Sequence, residues 1–254
     1  MSTATALLNS ALGVAYLCIG TMAVYDLVRG WRSLGPSHFG LAFIGLAFTC
    51  GPHHLDHGMH VLVGDRTGGG LDLVAVVVGL PAGAAFLSLR VEAVRGGAGD
   101  RFIAGTPPWV AATPTLAAVY LTAMVAGALA VASGSTLEAT SQVAPNVLLV
   151  AVYTAIGVVL MRTQLRNRRA SGGWSLSGLA LMAVFPTCAV MHATWVLYGV
   201  TGVYAFDSHG SVIDWLSVPA GLYFLAVVRA LYRDSIRDWN AASVPAAAGA
   251  RAAS

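Results

Sequence analysis

The sequence predicts an all-α membrane protein: seven transmembrane helices in a parallel 3+1+3 repeat, with the N-terminus outside and the C-terminus inside. Three observations lead to this fold class. Hydrophobic residues make up 57% of the chain and charged residues only 10%, a composition that a water-soluble domain of this length rarely has. The chain contains seven apolar runs, each long enough to cross a bilayer. The last three runs repeat features of the first three.

The seven apolar runs define the predicted spans. No charged segment precedes the first run, so we expect a true span there and not a cleaved signal peptide. Spans and short connections use nearly the whole chain, which leaves no room for a separate soluble catalytic domain, and we expect residues 233–254 to form a largely disordered cytoplasmic tail. The predicted spans are residues 6–28, 38–63, 71–93, 109–132, 144–162, 174–200 and 211–232.

The basic residues predict the orientation of the chain. All of them are arginines, and every one except Arg66 falls on the same side if the N-terminus faces outwards. Because arginine resists translocation, that side is the cytoplasm. The absence of lysine also excludes a retinal pigment, since a retinal Schiff base requires a lysine amine.

Residues 6–93 and 144–232 form two copies of a three-helix unit, joined by the span at 109–132. Equivalent helices then cross the membrane in the same direction and are related by an axis along the membrane normal. One chain therefore imitates a homodimer, and a site on the axis receives ligands from both halves. The matched positions are Asn9 with Asn146, Tyr16 with Tyr153, Cys50 with Cys188, His54 with His192, and Pro81 with Pro219.

Each half carries a thiol and an imidazole four residues apart, Cys50 with His54 and Cys188 with His192. Residues at this spacing share a helix face, so two such helices could offer two sulfurs and two nitrogens to a metal. Soft thiolate with imidazole suits Cu(I), zinc or, less well, iron, and Cu(I) costs least to desolvate because of its single charge. The sequence is compatible with one metal site shared by the two pairs and with two separate sites. It is also compatible with no metal, in which case the cysteines pack in the core and the histidines form hydrogen bonds between helices.

Polar side chains on the first helix of each half supply candidate supporting residues. Asn9 and Tyr16 lie two turns apart on one helix face, and Asn146 and Tyr153 repeat the spacing. They are candidates for orienting the imidazole or thiolate of a metal ligand. Simple hydrogen bonding between helices is the equally weighted alternative.

The first half has additional histidines that the second half lacks. A polar vestibule facing outwards is the predicted arrangement, in which these histidines meet Asp207 and Asp214. The sequence leaves four roles open for this vestibule: a metal-loading route, a second metal site, a proton-sensitive gate, or a hydrated cluster that binds no ligand. The candidate residues are His53, Asp56, His57, His60 and His209, and the second half has Met191, Trp195 and Tyr198 in place of His53, His57 and His60.

Three motifs carry a resemblance to a known family: Asn9-x6-Tyr16, Ala15-Tyr16-x2-Ile19 and Cys50-Gly-x2-His54. They resemble the membrane sensor of plant-type ethylene receptors and their cyanobacterial relatives. The resemblance covers residues 9 to 93 well and residues 146 to 232 more weakly. It implies a three-helix module with its N-terminus outside, which binds Cu(I) through Cys-x3-His in a dimer and takes ethylene as its ligand.

Two classes of function follow from these observations. The first is a copper-binding membrane sensor or receptor that binds ethylene or another small olefin at Cu(I) and signals through a separate partner protein. The second is a carrier for copper or another transition metal, served by a copper chaperone. A membrane metalloenzyme ranks last, so we expect no enzyme activity; we expect a place in the plasma membrane, contact with lipid, and no nucleic-acid partner.

Overall fold

The computed structural model describes residues 2–64, 70–112, 114–116, 118–119, 122, 126, 137–200 and 208–242. Apart from one pair of two-residue strands, the described regular structure is helical, which confirms the all-α class. The elements in chain order are α1 (Ser2–Leu34), α2 (His38–Val63), α3 (Gly70–Val94), β1 (Phe102–Ile103), α4 (Pro108–Ala111), α5 (Leu137–Ser171), β2 (Trp174–Ser175), α6 (Leu176–Val200) and α7 (Ser208–Ala242).

Five described helices contain segments long and apolar enough to cross a membrane, in α1, α3, α5, α6 and α7. They support the multi-pass membrane protein that the composition predicts. Helix α2 is 26 residues long but carries five histidines and Asp56, which lower its hydropathy, and it is not among the five. Most of the predicted span at 109–132 lies outside the described residues. Seven spans and their orientation therefore stay predictions.

The predicted spans and the observed helices differ mainly at their ends. Helices α2 and α3 match their apolar runs to within a residue, whereas α1, α5 and α7 extend beyond theirs. An apolar run marks only the part of a helix that faces lipid, and the helix itself continues into polar sequence. Helix α7 reaches Ala242, so the first part of the predicted tail is helical, and residues 243–254 lie outside the described part.

The main helix contacts have a twofold pattern. Helix α1 packs on α2 and α3, and α5 packs in the same way on α6 and α7. Between the two groups, α2 packs on α7 and α3 packs on α6. Exchanging α1, α2 and α3 with α5, α6 and α7 leaves these contacts unchanged, as is expected for two units related by a twofold axis.

Small residues and aromatic rings fill the interior. A Cβ atom on Gly13 of α1 would lie 2.8 Å from the carbonyl oxygen of Gly51 on α2, so the two backbones touch where both residues are glycine. Phe43 of α2 and Phe224 of α7 pack with their ring centroids 5.9 Å apart, and Phe185 of α6 stacks on Phe224 at 5.2 Å. These rings join the two groups of helices in one core.

The two short strands tie the segment after α3 to the start of α6. Strand β1 pairs antiparallel with β2, and Asp100 accepts hydrogen bonds from the Ser175 hydroxyl at 2.6 Å and the Ser177 backbone N–H at 2.8 Å. Burial by itself raises the pKa of Asp100, but the hydrogen bonds from Ser175, Ser177 and Arg101 outweigh it and hold this pKa below its ordinary value. An ionised Asp100 therefore caps the N-terminus of α6, where the helix dipole favours negative charge.

Candidate metal centre

Each of the two predicted ligand cysteines contacts a tyrosine from the opposite half of the chain. The Tyr16 hydroxyl lies 3.3 Å from Cys188 Sγ, and the Tyr153 hydroxyl lies 3.0 Å from Cys50 Sγ. Either atom can be the donor in these pairs. The two contacts exchange under the twofold pattern, so the surroundings of each thiol are built from both halves.

The two predicted ligand histidines are held within their own halves. His54 Nδ1 lies 3.1 Å from Asn9 Oδ1, and His192 Nδ1 lies 2.6 Å from Asn146 Oδ1. The Asn9 amide nitrogen donates to the Thr5 carbonyl, which fixes the orientation of that amide. Because an amide oxygen only accepts, Nδ1 carries the proton in both rings and Nε2 keeps the lone pair that a metal needs.

Cys50, His54, Cys188 and His192 line one small cavity between the halves. Packing thus brings residues more than a hundred positions apart to a common space, together with His53, Met191 and Trp195. The four do not form a group whose ligand atoms all lie within 4.8 Å of one another. Their joint coordination of one ion, with Asn9, Tyr16, Asn146 and Tyr153 in support, stays a prediction.

The cysteines also line a second, wholly apolar pocket of about 40 Å³. Cys50 and Cys188 therefore stand at a boundary, with imidazoles on one side and hydrocarbon on the other. The rest of the apolar lining consists of Tyr16, Ile19, Phe43, Leu46, Ala47, Phe86, Tyr153, Leu181, Val184 and Phe185.

Trp195 of α6 lies among the histidines of α2. Its ring centroid is 4.0 Å from that of His53, 5.1 Å from that of His57 and 5.1 Å from that of His192. Trp195 stands at the position that His57 occupies in the first half. The sequence prediction gave it no role, although the repeat register places it one turn beyond His192.

The additional histidines separate into three different pairs. His53 Nδ1 lies 2.7 Å from Asp214 Oδ1, and His57 Nε2 lies 2.7 Å from Asp72 Oδ2. His60 and Asp56 pair along α2 at 3.4 Å and are partly exposed. The side chain of His209 and the whole of Asp207 lie outside the described part of the chain.

Asp72 is a buried polar residue that the sequence prediction missed. It lies in the first turn of α3 with its side chain 1% exposed. Its place at the N-terminal end of an apolar run, close in sequence to the histidines of α2, is the signal that could have identified it.

The donor atoms around the first cavity suit a soft metal ion, because two thiols and two imidazoles meet there and hydrocarbon encloses the cysteines on the other side. Binding of a zinc or copper ion by Cys50, Cys188, His54 and His192 stays a prediction. The chain matches no protein-family model, no curated protein and no solved structure.

Proposed function

We propose that this protein is a copper-dependent membrane sensor that binds ethylene or another small olefin and passes a change in helix packing to a partner protein. The observation that carries the proposal is the position of Cys50 and Cys188. They line both the cavity that they share with His54 and His192, here called the imidazole cavity, and the apolar pocket. A soft ion held there would have protein donors on one side and room for an apolar ligand on the other.

Cu(I) is the ion that this combination favours. Thiolate and imidazole donors are soft or borderline, and a monovalent ion costs less to bury among helices than a divalent one. Bound copper would supply filled d orbitals and an acceptor orbital for the π electrons of an alkene. Asn9 and Asn146 would hold the imidazoles so that Nε2 points at the ion.

The size and lining of the apolar pocket favour a small uncharged ligand. Its volume of about 40 Å³ is a few times the roughly 10–15 Å³ that one water molecule needs. Apart from the two cysteines and the two tyrosines that contact them, an ion passing through this pocket would meet only aliphatic and phenylalanine side chains, which is costly. The pocket therefore favours a sensor of apolar molecules over a route for metal transport.

The pocket also offers a way to convert binding into a change of packing. Phe43 and Leu46 of α2 line it together with Leu181 and Phe185 of α6. A ligand in the pocket would therefore contact both halves and would favour the arrangement of the halves to which it binds more tightly.

The test measures copper content and copper-dependent binding of labelled ethylene for the full chain in membranes. We expect Cys50→Ser, Cys188→Ser and the double variant to lose most of both. Cys18→Ser is the matched control, because Cys18 is a free, exposed cysteine outside both cavities, and it should behave as wild type.

Two outcomes would contradict the proposal. Undiminished copper in the double variant would show that the cysteines do not bind it. Full copper loading of the wild type without ethylene binding would contradict the sensor and leave the metal carrier as the better hypothesis.

A further inference from the structure

Three buried side chains from three helices converge at the cavity that Cys50, Cys188, His54 and His192 line, and two of the three, His53 and His192, are part of its lining. His53 of α2, His192 of α6 and Asp214 of α7 each present a ligand atom, and these atoms all lie within 4.8 Å of one another. The three residues are only 8%, 5% and 4% exposed. Among the described residues, they form the one group of three potential metal ligands as close as this.

The contact between His53 and Asp214 is short but is poorly aligned for a hydrogen bond. His53 Nδ1 lies 2.7 Å from Asp214 Oδ1, and neither atom has a well-aligned hydrogen-bond partner among the described residues. The other carboxylate oxygen, Oδ2, accepts from the Asn146 amide. A buried carboxylate oxygen and a buried ring nitrogen thus lie side by side without a well-aligned hydrogen bond, an arrangement that is costly inside a helix bundle.

A metal ion would satisfy both atoms. Bonds of 2.0–2.2 Å in a tetrahedral zinc site place neighbouring ligand atoms about 3.4 Å apart. Asp214 Oδ1 lies 2.7 Å from His53 Nδ1, and the ligand atoms of all three residues lie within 4.8 Å of one another, so the separations are close to that value. The nitrogen that His192 can offer to zinc is Nε2, because its Nδ1 donates to Asn146. Small side-chain rotations would even out the separations.

We propose that His53, His192 and Asp214 form a second metal site, for a divalent ion such as Zn²⁺. Two imidazoles and one carboxylate are borderline donors that suit zinc, and the set contains no thiol. Trp195 packs against His53 with ring centroids 4.0 Å apart and limits how far that imidazole can turn. The site uses residues that the copper proposal does not need, His53 and Asp214, and stands if that proposal fails.

The repeat supplies only one such site in each chain. The positions equivalent to His53 and Asp214 in the other half are Met191 and Val76, which cannot replace them as ligands of zinc. His54 is the equivalent of His192, and it pairs with Asn9. We therefore expect one zinc ion per chain.

His192 belongs to both the second site and the predicted copper set, which couples the two. When His192 binds zinc, Cys50, Cys188 and His54 remain for Cu(I). Three donors leave an open coordination position, whereas four donors would close the shell. Zinc bound at the second site would then favour binding of an external ligand, such as an olefin, to the Cu(I) ion.

The test uses the purified full chain and measures bound zinc by elemental analysis, together with the shift in melting temperature on adding zinc. We expect about one zinc per chain in the wild type, and at least a tenfold loss of zinc affinity in Asp214→Asn and in His53→Gln. Asp72→Asn is the matched control, because it removes a buried carboxylate paired with a different histidine, His57.

Copper measurements on the same samples separate this site from the first. Cys50→Ser with Cys188→Ser should lose copper and keep zinc, and His53→Gln should keep copper. If Asp214→Asn does not fold, His53→Gln alone tests the second site, and we expect this variant to lose the rise in melting temperature that zinc causes in the wild type. Zinc that binds equally to wild type, Asp214→Asn and His53→Gln, or a wild type that binds none, would overturn the second site.

Discussion

His54 and His192 are each held by an asparagine, and this contact decides which ring nitrogen is available to a ligand. Replacing Asn9 with alanine removes the acceptor for His54 Nδ1, which lies 3.1 Å from Asn9 Oδ1. The imidazole can then turn, and we expect a loss of Cu(I) affinity of about 10-fold to 100-fold. Competition with a coloured Cu(I) chelator measures it.

Asn9→Asp is the conservative partner of that variant. It keeps an acceptor at the same place and should retain most of the affinity. Unchanged copper binding in Asn9→Ala would show that this hydrogen bond is purely structural.

Asp100 provides a prediction about pH at the end of the bundle where α3 ends and α6 begins. Its pKa is lower in the folded protein than in the unfolded chain, so its stabilising effect is present at neutral pH and is lost as the pH falls through the folded pKa. Asp100→Asn should therefore melt below wild type at pH 7, with a loss of about 1 kcal/mol from the hydrogen bonds to α6. The two melting curves should begin to converge as the pH falls below about 4, the ordinary pKa of an aspartate, and should meet only below the lower pKa of the folded state.

Glu92→Gln is the control for Asp100→Asn. Glu92 is a nearby carboxylate in an exposed ion pair with Arg101, and exposed pairs contribute little. A difference between Asp100→Asn and wild type that is the same at pH 7 and pH 3 would contradict an ionised cap.

The sequence identified polar side chains that the structure brings together, but it did not identify which of them contact each other. The spacing of Asn9 and Tyr16 identified two polar groups on one helix face. In the structure, Asn9 contacts His54 of its own half, whereas Tyr16 contacts Cys188 of the other half. A contact between halves depends on how the helices pack, which spacing along one helix does not encode. The sequence predicted that the additional histidines lie near Asp207 and Asp214, but it did not predict that His53 is the one that pairs with Asp214.

At the scale of helices, the contact between α1 and α2 depends on glycine. A Cβ atom on Gly13 would lie 2.8 Å from the Gly51 carbonyl oxygen, a backbone atom that cannot move alone. We expect Gly13→Ala to separate the helices and to cost about 1–3 kcal/mol of stability, measured by thermal unfolding in detergent.

Gly45→Ala is the control within α2. Its Cβ would meet only Ala220 at 3.6 Å, an ordinary contact, and alanine favours the helix by roughly 0.5–1 kcal/mol. That variant should be neutral or slightly stabilising. Equal effects of the two substitutions would show that close approach of the backbones is unimportant here.

Helices and strands differed in how well the sequence predicted them. An apolar run long enough to span lipid is a strong signal, and α2 and α3 follow theirs to within a residue. Strands β1 and β2 have only two residues each, too few for any periodicity to emerge. Contacts between distant segments accompany their pairing: Asp100 accepts hydrogen bonds from Ser175 and Ser177, and Gly173 closely approaches the Ile103 backbone, where a Cβ atom would lie 2.7 Å from the carbonyl oxygen.

For the whole molecule, the contacts define the relative direction of the two halves. Along α1, Asn9 meets His54 and Tyr16 meets Cys188; along α5, Asn146 meets His192 and Tyr153 meets Cys50. Both helices therefore run from the level of the histidines to the level of the cysteines.

Between β1 and the start of α5, the chain must pass from one end of the helix bundle to the other. Strand β1 pairs with β2 near the end of α5, whereas Leu137 begins that helix about 50 Å away, from 1.5 Å per residue over 35 residues. We therefore expect the segment between Ile103 and Leu137 to cross the membrane, as the apolar run at 109–132 predicts.

Epitope tags test this crossing and the orientation together. A tag at Met1 should be labelled on intact cells, and tags at Gly105 and Ser254 only after the cells are made permeable, because parallel halves place the connection after α3 and the end of α7 on the same side. Gly105 is exposed and has a φ of 78°, so a flexible insertion there should disturb little. A C-terminal tag labelled on intact cells, with Gly105 protected, would mean that the segment does not cross.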